Sequence, residues 1–118
     1  MIMRSVLYLF LILFITSCKS NAELSMERGI QYYEWGKYDE AILEFNHAKY
    51  YQLSKKKKSY NDIQLLAQTH YNLSITYAKM QLMENAMQEA QHAYNLIPST
   101  DYRELISLLE QQLVSNNH

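Results

Sequence analysis

Two stretches of this chain align at one fixed separation. Arg28–Leu53, RGIQYYEWGKYDEAILEFNHAKYYQL, and Leu73–Pro98, LSITYAKMQLMENAMQEAQHAYNLIP, superpose with an offset of 45 residues. Gly29 falls on Ser74, Tyr32 on Tyr77, Ala41 on Ala86 and Ala48 on Ala93. The matched residues are small or aromatic, the types needed where two helices cross closely. A repeat of this size restricts the fold to stacked units that bury one another's apolar faces. Composition agrees: 118 residues contain two glycines and one proline, so little interrupts a helix. That length allows one domain. A single cysteine excludes an internal disulfide. A formal net charge of -1 offers no basic groove for nucleic acid.

The pattern within each stretch resembles the tetratricopeptide repeat (TPR), a helix–turn–helix unit of about 34 residues. In the first unit Gly29, Tyr32, Gly36, Tyr38, Ala41, Phe45 and Ala48 stand at that family's signature spacings. In the second, Leu73, Tyr77, Ala86, Ala93 and Pro98 do. Ser25 and His70 replace the family's early tryptophan, Ala90 its large aromatic, and Leu53 the first unit's closing proline. The resemblance implies an all-α, TPR-like helix–turn–helix repeat array, two repeats plus a C-terminal capping helix.

The observed offset exceeds the family period by roughly 11 residues, and the excess falls on Ser54–Gln64, SKKKKSYNDIQ. No glycine or proline breaks it, which predicts longer facing helices around a solvated turn, with Asn61 or Asp62 capping the next helix. The Lys55–Lys58 run reads as a solvated connector or as a contact to an acidic partner or to lipid headgroups. The predicted helices are Ala22–Trp35, Asp39–Leu53, Asp62–Met80 and Met83–Leu96. A fifth follows Pro98, opened by an Asp101/Glu104 capping box and striped by Leu105, Leu108, Leu109 and Leu113. Such a helix would cover the exposed face of the last repeat.

The only cysteine follows an apolar run. Arg4 supplies one early positive charge, Val6–Ile15 is apolar or aromatic, and Ile15-Thr16-Ser17-Cys18 closes the segment. The run is about half of the roughly 20 residues a spanning helix needs, and fits the apolar region of a secretory signal. A short membrane helix or a buried core thiol would use the same residues. The ending resembles the lipobox of bacterial lipoproteins. That resemblance implies a signal peptide over residues 1–17, cleavage after Ser17, and a diacylglyceryl thioether with N-terminal acylation (palmitate-type chains) on Cys18. Each buried methylene would add about 0.8 kcal/mol to membrane attachment. Residues 18–21 would form a lipidated tether, 22–114 the helical domain and 115–118 a tail. Lys19, rather than an aspartate, follows the cysteine. In enteric-type bacteria this implies the periplasmic face of the outer membrane.

Chemistry-bearing patterns are scarce. Glu44-Phe45-Asn46-His47 and Glu89-Ala90-Gln91-His92 are both Glu-x-x-His. Paired motifs of that kind can hold two metals when two more helices each add a glutamate. The predicted third helix has no glutamate, and His47 lies off the face that Ala41, Phe45 and Ala48 define. They therefore read as duplicated surface histidines, with no metal. There is no glycine-rich phosphate loop and no Gly-x-Ser-x-Gly elbow. The expectation is a protein with no enzymatic activity and no cofactor beyond the lipid on Cys18. The 11 tyrosines read as packing residues and interface rims.

In the tetratricopeptide family the first helix of each unit lines a concave groove. Carried onto this sequence, the partner-binding residues are Met26, Ile30, Tyr33, Tyr71 and Ile75. Met26 and Ile30 stand where some members clamp a peptide carboxylate, so that activity is not expected. Together with the lipobox, GKYDEAILEF (Gly36–Phe45) and LIPSTDY (Leu96–Tyr102) resemble the BamD-type lipoproteins of the outer-membrane β-barrel assembly machine, which typically carry about five repeats. The resemblance implies a lipid-anchored adaptor in the cell envelope. Its partners would be the barrel-forming subunit and sister lipoproteins. A pilus- or secretin-assembly lipoprotein is the alternative, and a periplasmic enzyme accessory or metal-binding protein a more distant one.

Overall fold

The computed structural model describes residues 2–15 and 19–117, the first segment without side chains beyond Leu9. Among these residues there are six helices and no strand: α1 Ile2–Ile15, α2 Asn21–Glu34, α3 Tyr38–Leu53, α4 Tyr60–Lys79, α5 Met83–Leu96 and α6 Thr100–Asn116. Helices α2 with α3 and α4 with α5 form hairpins; α3 packs on α4, α5 on α6, and α2 lightly on α4. Helix α1 belongs to none of these pairs. No described helix is long and apolar enough to cross a membrane.

The two hairpins turn in the same way, 45 residues apart. In the first, Lys37 N donates to Tyr32 O at 2.8 Å and Gly36 N to Tyr33 O at 3.0 Å. In the second, Leu82 N donates to Tyr77 O at 2.9 Å and Gln81 N to Ala78 O at 3.1 Å. Each is a Schellman closure, which requires a left-handed residue after the helix. Gly36 fills that place at φ 76° and Gln81 at φ 63°. Glycine accepts this backbone freely, whereas a side chain crowds its own carbonyl at a cost of roughly 1–2 kcal/mol. A β-carbon at Gly36 would meet nothing within 4 Å, so only backbone energy is at stake there. Gln81→Gly is therefore expected to stabilise the protein by about 1 kcal/mol and Gly36→Ala to destabilise it by a similar amount. Urea denaturation of both variants checks this.

Helices that start at these tight turns, α3 and α5, have no side-chain cap. Those that start at the other end all have a serine: Ser20, Ser59 and Ser99 accept from the backbone N–H of Glu23, Asp62 and Tyr102. Neither expected cap is thus the cap. Asp62 sits three residues into the capping box, where it accepts from Ser59 N at 2.9 Å, and Asp101 lies inside α6. The extra residues of the first unit mostly lengthen α4, which has 20 residues against 14 in α2.

Asp62 also pairs with Lys55 at 2.9 Å. That hydrogen bond and those from Ser59 lower its pKa to about 2. A lowered carboxylate pKa gives stability that is present above the ordinary value near 3.8 and is lost as pH falls towards 2. Protection of the amides at the start of α4, taken relative to their intrinsic exchange rate at each pH, is expected to fall across that window. Asp62→Asn should flatten the pH response.

The core has two parts. Met26, Ala41, Phe45, Ala48 and Leu73 form the first. Met83, Ala86, Ala90 and Leu109 form the second, with Tyr77 packed against both. Ala41 and Ala86 are both fully buried, as a close crossing demands. Leu109 from α6 faces Ala90, which stands where the first unit has Phe45. Leu105, Ile106 and Leu113 complete the cover. Leu108, expected in this stripe, is 59% exposed; Ile106 takes its place because α6 meets α5 on a face rotated from the predicted one.

Candidate functional site

Helices α2, α4 and α6 share one side of the array. Between them lies a cleft of about 520 Å³ lined by Tyr33, Tyr71, Ile75, Ala78, Lys79, Gln81 and Gln112. A second cleft of about 520 Å³, lined by Gln64, Gln68, Tyr71, Ile97, Ser99, Asp101 and Tyr102, adjoins it. Tyr71 lines both, and its ring lies 5.6 Å from that of Tyr102. Tyr33 is steadied by Tyr38, whose ring is 5.6 Å away. Burial, with Asp101 and Tyr71 nearby, raises the Tyr102 pKa above its ordinary value, so the phenol stays a neutral donor.

Three of the five expected groove residues, Tyr33, Tyr71 and Ile75, meet in this cleft. Ile30 is exposed but does not line it. Met26 corrects the expectation: it is only 4% exposed. Its sulfur accepts from Thr69 Oγ1 at 3.1 Å, because α4 approaches α2 there and closes that part of the face. Tyr102 and Gln112 were not expected. Both come from α6, which the sequence marks as a cover rather than as a third wall. Lipidation at Cys18 lies outside the described residues.

On the other side of α4 a polar cluster links the units. His70 Nδ1 donates to Glu89 Oε2 at 2.6 Å. Lys49 Nζ approaches Glu89 Oε1 at 4.0 Å, and the His92 ring lies 5.1 Å from that of His70. Burial pushes the Glu89 pKa up, but the His70 hydrogen bond and the nearby Lys49 outweigh it and leave the carboxyl below its usual value. His92 is exposed, as the sequence predicts, whereas its motif partner Glu89 is half-buried. Glu89 of the second Glu-x-x-His motif turns inward to tie α5 to α4 and α3, since His70 at the tryptophan position needs an acceptor for its buried N–H. His47 is exposed, and Glu44 faces Arg28 at 3.6 Å. Among the described residues no three histidine, cysteine, aspartate or glutamate side chains are grouped to hold a metal ion.

The site and the fold together define an all-α array of two like hairpins closed by a further helix, with a tyrosine- and amide-lined cleft along one side. No protein-family model, curated protein or solved structure matches the chain.

Proposed function

We propose that the chain is a lipid-anchored, tetratricopeptide-type adaptor of a bacterial cell envelope, and that its α2–α4–α6 cleft holds an extended peptide segment of a partner protein. The cleft lining supports this reading more than any other observation. Gln64, Gln68, Gln81 and Gln112 offer both donors and acceptors. A peptide's main chain needs that pairing when it leaves water. The Tyr71–Tyr102 pair adds a flat apolar platform between the two clefts. Lys79 and Asp101 are the charged residues of the lining, one in each cleft, and favour a segment with an acid at one end and a base at the other. In its particular form the reading is a component of outer-membrane β-barrel assembly, with the barrel-forming subunit as the partner that supplies the segment.

Anchoring is tested first. Cys18→Ala is expected to abolish incorporation of radiolabelled fatty acid in a bacterial host and to leave the precursor uncleaved, because the thiol is the acceptor. Label that persists on the variant would place the lipid elsewhere or dismiss it. The partner is tested by cross-linking in intact envelopes, followed by mass spectrometry of the linked peptides. Links from the cleft to a barrel-forming subunit are expected. Links to pilus or secretin components would overturn the particular form and keep the adaptor.

A further inference from the structure

The two ends of the array differ in chemistry. One end carries the tight turns at Trp35–Lys37 and Met80–Leu82; the other carries the start of α2, the end of α3 and the start of α4. At this second end the loop between α3 and α4 exposes Lys55–Lys58. Lys55 is engaged by Asp62 at 2.9 Å, and Lys58 Nζ donates to Lys55 O at 3.1 Å. Lys56 and Lys57 make no ion pair among the described residues, and the backbone contact leaves the Lys58 charge unneutralised. Acids at the same end are Asp62, bound to Lys55, Glu27, bound to Lys19, and Glu23, Asp101 and Glu104; Arg103 adds one more cation. Positive charge is therefore in excess around the loop. Flanking it, Tyr50, Leu53 and Tyr60 are 70%, 55% and 67% exposed, and Tyr51 is exposed beside Tyr50. Lysine stems and tyrosine rings together suit the boundary between water and lipid, with the apolar parts down and the polar tips wet.

Chain length adds a second, independent constraint. Ser20, which caps α2, lines one cleft of about 400 Å³ with Lys55, Asn61 and Asp62, so the start of α2 lies beside the loop. Cys18 precedes Ser20 by two residues. At about 3.6 Å per extended residue the tether reaches about 7 Å. That is the depth of one headgroup layer, about 5–7 Å. An acyl group on Cys18 would hold this end of the array within a Debye length, about 8 Å, of the charged surface.

We propose that the α3–α4 loop is a membrane-contact surface, in which Lys56, Lys57 and Lys58 meet anionic lipid headgroups and Tyr50, Tyr51, Leu53 and Tyr60 settle at headgroup level. The proposal rests on the anchoring reading above. Its consequence is an orientation: the array stands on the bilayer by this end and presents the rest of the cleft away from the membrane.

The test uses the protein purified in detergent from the membranes of a bacterial host, as the host processes it, mixed with vesicles of phosphatidylcholine, alone or with phosphatidylglycerol. Lysine acetylation by a water-soluble reagent is read by mass spectrometry, and sedimentation of the chain is followed in parallel. On the mixed vesicles Lys56–Lys58 are expected to react at least about fivefold more slowly, as about 1 kcal/mol per lysine would give. High salt should reverse the protection. Lys37, at the opposite end, should react alike in both cases. Replacing all three lysines (Lys56→Gln, Lys57→Gln, Lys58→Gln) should reduce the salt-sensitive part of binding to mixed vesicles at least about tenfold. Sedimentation with neutral vesicles should be unchanged, since the acyl chains on Cys18 supply it. Full lysine reactivity on vesicles that carry the chain would overturn the loop proposal alone and leave an acidic protein as its partner. Protection without any binding to neutral vesicles would uphold the loop and overturn the anchor. No sedimentation with either vesicle would overturn both.

Discussion

Phe45→Ala is expected to cost about 3–5 kcal/mol, the largest single loss in the protein. The ring is 1% exposed and sits at the centre of the first core, with Met26, Ala41, Ala48 and Leu73 around it. It also lies directly over Gly29. A methyl group added there would come within 3.0 Å of three ring carbons. Gly29→Ala should therefore destabilise by about 1–3 kcal/mol through overpacking. The two losses should not add. Phe45→Leu makes room for the new methyl, so its combination with Gly29→Ala should fall well short of the sum of the single effects. Denaturant unfolding of the four proteins measures the coupling; strict additivity would mean that α2 and α3 do not meet at this point. The second hairpin needs no such ring. Ser74 replaces Gly29 and donates to Ala86 O at 2.6 Å, while Leu109 of α6 covers Ala90. This explains why the second unit requires a further helix.

The combination Tyr33→Ala with Tyr71→Ala is expected to weaken partner capture at least about tenfold, equivalent to 1.4 kcal/mol. Both side chains border the α2–α4–α6 cleft, and Tyr71 forms the platform with Tyr102 between its two halves. Interface energy gathers in a few such aromatic anchors. Both rings are only half-buried, so the fold should survive their loss. Exposed His47, on the opposite helix layer, provides the control: His47→Ala should leave capture unchanged. The readout is the amount of the proposed partner, the barrel-forming subunit, cross-linked to each variant, with a thermal melt to confirm folding. Undiminished capture by the tyrosine pair would remove the cleft from the function.

The repeat in the sequence determined the helical hairpins almost to the residue. Met83–Leu96 has the predicted bounds, and α2 and α3 begin within one residue of them. The reason is local: small residues at a fixed spacing permit only one close approach between two helices, and Gly36 marks where the first hairpin turns. Capping was equally local but was misread, because Ser59, Asn61 and Asp62 compete as caps within four residues. Ser59 holds the position and Asp62 answers from inside the helix. Other properties depended on how the helices meet. Met26 has the spacing of a groove residue, yet α4 covers it. His47 and His92 read as surface histidines and are exposed, but nothing in the sequence indicates that Glu89 reaches His70 on a different helix. Tyr102 and Gln112 carry no signal of their own and join the site only because α6, which packs on α5, borders the same clefts as α4. Periodicity records which face of a helix is apolar. Which neighbour lies against that face, and which polar groups it brings, is decided by contacts between residues far apart in the chain, and the tertiary structure alone supplies those.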